Sequence, residues 1–73
     1  MPHVVVKLYP GSTEDQKTKI AEGITKVIQE QTGKPEAYIS VAIQEVTEAV
    51  WMAEVYDKEI NPNFEKLYKK PGY

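Results

Sequence analysis

The chain has no cysteine and a single histidine among its 73 residues. Disulfides are excluded, and so is a zinc cluster of the usual Cys/His type. No stretch approaches the roughly 18 apolar residues needed to span a bilayer. Nor does the chain open with a basic segment followed by a long apolar run. The expectation is a soluble cytoplasmic protein with no membrane partner. Charge of one sign is missing too: nine basic side chains against eleven acidic ones, interspersed, leave a net charge of −2. That balance offers a phosphate backbone no long-range attraction, so nucleic acid is not an expected partner. The last shortage is of length. There is room for one domain, residues 1–73, and a core of that size supplies only about 3–5 kcal/mol unless something staples it. Without disulfide or metal, oligomerisation is the remedy left.

What is present begins with a proline in second position. Pro2 follows Met1 directly and precedes an apolar run. Methionine is readily trimmed before a small residue, and trimming gives Pro2 a secondary amine in place of an amide. The reference α-amino pKa is about 7.7–8.0, and an apolar enclosure lowers it by disfavouring the charged form. Such a nitrogen is free base near neutrality, where general acid–base catalysis is most efficient, and it needs no metal or cofactor. The alternative is that Met-Pro is merely tolerated at this position.

From His3 to Tyr9 the chain reads HVVVKLY, β-branched and aromatic, closed by Pro10-Gly11. This pattern predicts a strand ended by a turn. Both faces, Val4/Val6/Leu8 and Val5/Lys7/Tyr9, are largely apolar, as in a strand covered on two sides. Thr13 and Gln16 stand at capping-box spacing, with Glu14 and Asp15 in the first turn. Ile20, Ala21, Ile24, Val27 and Ile28 then give the apolar stripe of an amphipathic helix, with Gly33 as left-handed cap and Pro35 preventing continuation. Gly23 inside this helix marks either a close packing contact or tolerance on the wet side. Tyr38 to Val46 alternates again, with Ser40, Ala42 and Gln44 on one face and Ile39, Val41 and Ile43 on the other. Strand, helix and strand over residues 2–46 predict a right-handed βαβ unit with parallel strands. Two strands are too few for a stable sheet, so the missing ones must come from another copy.

Residues 47–73 form an extension with weaker signals. Ala49 to Ala53 is apolar without a decisive period, and Glu54 to Ile60 fits a helical turn or a short strand equally. Asn61-Pro62 suggests an N-cap with proline at the first helical position, and a short helix bearing Phe64, Leu67 and Tyr68 on one face follows. Its apolar face is expected to cover a sheet edge or to contact a second subunit.

With Pro2 opening a strand, a capped helix from Thr13 and a second strand at Ile39, the chain resembles the 4-oxalocrotonate tautomerase family. More narrowly, it is similar to the dimeric branch acting on enol forms of 2-oxo acids, of the phenylpyruvate tautomerase kind. The likeness includes Pro2-His3, the Ser-Val-Ala-Ile-Gln segment from Ser40 to Gln44, Trp51, the stretch from Asp57 to Ile60, and Lys69-Lys70-Pro71-Gly72-Tyr73. The tail is what selects the dimeric branch over the hexameric relatives. The resemblance implies an α+β fold: a βαβ tautomerase subunit with parallel strands and a short C-terminal helix, ferredoxin-like when two units pair into a four-stranded sheet with helices on one face. It implies a cofactor-independent isomerase in which Pro2, after loss of Met1, is general base and then acid. The small-molecule substrates implied are 2-hydroxy-dienoate or phenylenolpyruvate-type 2-oxo acids.

The chain departs from the founding members in its cations. They use two arginines for much of the polar work and a phenylalanine to shield the proline; the aligned positions here hold Ser12, Ser40 and Trp51, and the chain contains no arginine. A dicarboxylate held by guanidinium forks would lose charge-assisted bonds of about 1.5–3 kcal/mol each. The expected substrate is therefore a smaller or aromatic monocarboxylate, with Ser40 lining its pocket and Trp51 walling an apolar slot. Lys7, Lys69 and Lys70 are candidate replacement cations. His3 could tune the Pro2 amine or touch substrate, but alternation points it away from the Pro2 side chain. Two other readings stay open: a hydratase or dehalogenase of unsaturated acids built on the same proline, which normally wants an acidic and a cationic partner beside it, and a non-catalytic dimeric module. The latter would use the basic aromatic tail of Phe64, Tyr68, Lys69, Lys70 and Tyr73.

Overall fold

The computed structural model describes residues 1–73. Strand β1 (His3–Leu8) and strand β2 (Ser40–Glu45) pair in parallel, and helix α1 (Glu14–Thr32) carries the chain from the end of one to the start of the other. Local chemistry fixes both ends of α1. Thr13 is extended, its hydroxyl accepts the Gln16 N–H at 3.1 Å, and the Gln16 side chain accepts the Thr13 N–H at 2.8 Å. Two otherwise orphaned donors are satisfied reciprocally. At the other end Gly33 adopts φ 71°, where a side chain would be strained, and donates its N–H to the Gln29 carbonyl at 2.9 Å.

The register runs from His3 opposite Ser40 to Leu8 opposite Glu45, so alternation sorts the residues onto two faces. Val4, Val6 and Leu8, with Val41, Ile43 and Glu45, lie on the α1 face, where Ile20, Ile24 and Ile28 are half-buried. Lys17 ties this layer together, reaching Glu14 at 2.6 Å and Glu45 at 3.2 Å. Those bonds, to Glu14 first and Glu45 second, hold its ammonium pKa above the ordinary 10.5. Gly23 has open space around it, so within one chain the wet-side reading of that glycine holds.

A turn of 3-10 helix at Glu36–Tyr38 leads into β2. It absorbs Tyr38 into the turn, and the strand is shorter at both ends than the alternation predicts. From Glu48 to Lys66 the chain is helical: α2 (Glu48–Trp51) passes into a π-helical stretch (Met52–Ile60) and then into 3-10 turns (Asn61–Lys66), after which Leu67 is extended. Asn61 is not an N-cap. It is already helical, with its N–H bonded to the Tyr56 carbonyl five residues back, and an N-cap requires a non-helical backbone. Phe64 and Leu67 are half-buried as expected, but Tyr68 is fully exposed.

This helical extension lies across the face of β1 that α1 leaves free, rather than along a sheet edge. Trp51, Val55 and Ile60 share a cleft with Val5 and Lys7 of the strand, Glu59 pairs with Lys7, and Trp51 meets Tyr9. Val55, at 5% exposure, is the single buried residue of the chain. No helix is long and apolar enough to cross a membrane.

Candidate active site

Pro2 sits immediately before β1 and is half-buried, while Met1 ahead of it is 89% exposed. The Pro2 carbonyl accepts the N–H of Ser40 at 3.1 Å, the first rung of the parallel pair. That bond sets the start of β2 beside the start of β1. His3 and Ser40 are register partners on the face opposite α1, with His3 Nδ1 2.6 Å from Ser40 Oγ. Pro2 thus joins the head of the sheet through its backbone, beside a His3–Ser40 side-chain pair on the face opposite α1.

The other sequence candidates lie elsewhere. Trp51 packs edge-on against Tyr9, with ring centroids 5.1 Å apart and planes at 87°, and its indole N–H donates to the Tyr73 hydroxyl at 3.1 Å. Tyr9 follows the last residue of β1, roughly 20 Å from Pro2 along an extended strand. Ser12, beyond the Pro10-Gly11 turn, belongs to that same far end. One chain therefore brings Ser40 to Pro2 but holds Trp51 and Ser12 at the opposite end of the strand pair.

The candidate cations are engaged. Lys7 forms an ion pair with Glu59 at the mouth of a cleft of about 340 Å³ lined chiefly by Val5, Trp51, Val55, Ile60 and Leu67. Lys69 donates to the Lys70 carbonyl at 2.9 Å, and the Lys70 ammonium stands 5.8 Å over the Phe64 ring. No group of three or more His, Asp and Glu side chains is arranged to hold a metal ion. Sequence reasoning missed the roles of Tyr9, Glu59 and Tyr73 in positioning Trp51 and Lys7. These contacts join residues 22 to 52 positions apart, and no local pattern announces them.

Residues 2–59 match the family model described as "Tautomerase enzyme". The chain is also similar over its whole length to curated proteins named Tautomerase PptA. It is 42% identical to that of Enterobacter sp. (strain 638), 43% to that of Klebsiella pneumoniae (strain 342) and 40% to that of Escherichia coli O139:H28 (strain E24377A / ETEC), covering 97% of each relative. The matched span takes in Pro2, the parallel pair and the helical extension as far as Glu59, and on that footing the chain belongs to the tautomerase family of isomerases.

Proposed function

We propose that the chain is an enol–keto tautomerase of 2-hydroxy-dienoate or phenylenolpyruvate-type acids, with the imino nitrogen of Pro2 as its acid–base group after removal of Met1. The nitrogen takes the enol hydroxyl proton, the oxygen becomes a carbonyl as the C=C electron pair moves to carbon, and that carbon takes a proton back from the Pro2 ammonium. Atoms and electrons balance within the substrate, and no cofactor enters. The observation that carries this reading is the position of Pro2. It is fastened by its carbonyl to Ser40 at the head of the sheet, and it is preceded by a methionine exposed to a processing enzyme.

Ser40 and Trp51 serve as substrate-binding groups, and the active species is a homodimer in the cytoplasm. Two features support the dimer. A chain with one buried residue lacks the interior a stable small domain needs, and both edges of its two-stranded sheet are open to pairing. An antiparallel pairing of two copies would also bring the Trp51 end of one strand pair to the Pro2 end of the other, uniting residues that one chain holds apart. The test is ketonisation of phenylenolpyruvate by protein whose mass shows that Met1 is gone. The wild type should catalyse it, and Pro2→Ala should lose on the order of 100-fold, the lower range for a general acid–base group; equal rates remove Pro2 from the mechanism.

A further inference from the structure

The reading above requires a carboxylate to be held near Pro2, in a chain without arginine whose one lysine on that sheet face, Lys7, is already paired with Glu59. Resting on that reading, we propose that His3 is a positioning residue that acts through Ser40: by donating from Nδ1 to the Ser40 oxygen, it turns the Ser40 hydroxyl outward as a donor to the substrate carboxylate.

The argument is one of hydrogen-bond direction. Ser40 Oγ and His3 Nδ1 are 2.6 Å apart, so a single proton lies between them. A hydroxyl has one proton and two lone pairs, whereas an imidazole nitrogen is donor or acceptor according to its protonation. When Nδ1 accepts, the serine proton is spent on histidine and the oxygen offers an approaching anion only lone pairs. When Nδ1 carries a proton, as it always does in imidazolium, that proton goes to Ser40 Oγ and the serine proton becomes free to donate. The protonated ring also brings a positive charge to the site. A pair that donates to anions in one state and repels them in the other is thus set beside the Pro2 carbonyl, since the Ser40 N–H that binds that carbonyl at 3.1 Å belongs to the same residue.

The groups that could act on His3 are few. Pro2 precedes it with an amine that is cationic when protonated. Across the sheet on the same face stand Ser40, Ala42 and Gln44, none of them charged. Lys7 lies four residues along the strand and is neutralised by Glu59 of the helical extension. Glu36, in the turn before β2, faces Thr25 and Gln29 of α1. Because a proton on the ring fixes Nδ1 as the donor to Ser40 Oγ, carboxylate binding should strengthen as the solution is acidified.

The experiment measures binding of 3-phenylpropionate, an unreactive aromatic carboxylate, by nuclear magnetic resonance titration at pH 5.5 and pH 8. The wild type should bind it roughly five- to tenfold more tightly at the lower pH, the margin of a charge-assisted over a neutral hydrogen bond. Ser40→Ala and His3→Leu should bind weakly at both. His3→Asn places a permanent amide donor near the position of Nδ1, and should bind with intermediate strength that does not change with pH. A pH dependence that survives in His3→Asn would trace to the Pro2 amine and overturn the inference, as would a wild type indifferent to pH. Pro2→Ala should retain the binding while losing turnover. A chain with the expected binding pattern and no ketonisation therefore rejects the proposed reaction alone.

Discussion

The indole N–H of Trp51 donates to the hydroxyl of Tyr73 at 3.1 Å, which fastens the last residue of the chain to the junction of α2 and its π-helical continuation. Tyr73 also lies against Tyr56, ring centroids 5.8 Å apart, so the tail closes over the helix through two contacts. Tyr73→Phe keeps the ring contact and removes the bond. It should lower stability by about 0.5–1.5 kcal/mol, read as a reduced urea midpoint followed by the fluorescence of Trp51, the single tryptophan. An unchanged midpoint would mean that water replaces the hydroxyl without loss.

The capping box is a second, independent point of stability. Thr13→Ala leaves the Gln16 N–H without its acceptor and should cost about 1 kcal/mol. Because the change is local, the urea midpoint should fall while the slope of the transition stays constant.

Lys17 supplies a dependence on pH. Its pKa is raised in the folded chain by Glu14 and then Glu45, so the folded state holds the proton more tightly than the unfolded one. The resulting stabilisation is fully present below the ordinary lysine value of 10.5 and is lost as pH rises through the higher folded value. Lys17→Met should therefore be less stable than wild type at pH 7 to 9. The gap should shrink as pH climbs past about 10.5. Thermal melts of both proteins across that range check it, and a gap that persists in strong alkali would assign the effect of Lys17 to packing of its stem.

How much of this was legible in the chain depends on whether the signal was local. Thr13, Gln16, Gly33 and the alternation through β1 and β2 depend on neighbours a few residues away, and helix, strands and parallel pairing followed from them. The face shared by His3 and Ser40 followed from period two once the register was known. Residues 52–60 resisted because bonding to the fifth residue winds more residues into each turn than an α-helix does. Trp51, Val55 and Ile60, at spacings of four and five, then share a face that neither ordinary period finds. Asn61-Pro62 misled for the same reason, since a cap signal has meaning only where no helix precedes it. Among the site residues, Pro2 and Ser40 were brought together by the sheet. The resemblance implies that Trp51 walls the same pocket, but the contacts that hold Trp51 against Tyr9 and Tyr73 join distant parts of the chain and leave no local signal.

The scarcity of buried residues makes assembly visible in stability. If folding is completed by a second copy, the melting temperature should rise with protein concentration, because mass action favours the associated state. Melts over a hundredfold range of concentration, paired with sedimentation, test this. A constant melting temperature with a monomer mass would contradict the proposed dimer.

The most direct test of the central claim is a titration of the Pro2 nitrogen in ¹⁵N-labelled protein, set beside the acidic limb of kcat/KM for phenylenolpyruvate. The account predicts an amine that loses its proton at or below about 7.7, the reference for an α-amino group, with the kinetic limb following the same curve. A nitrogen still cationic above about pH 9, or one with the shift of an amide that never titrates, would contradict it.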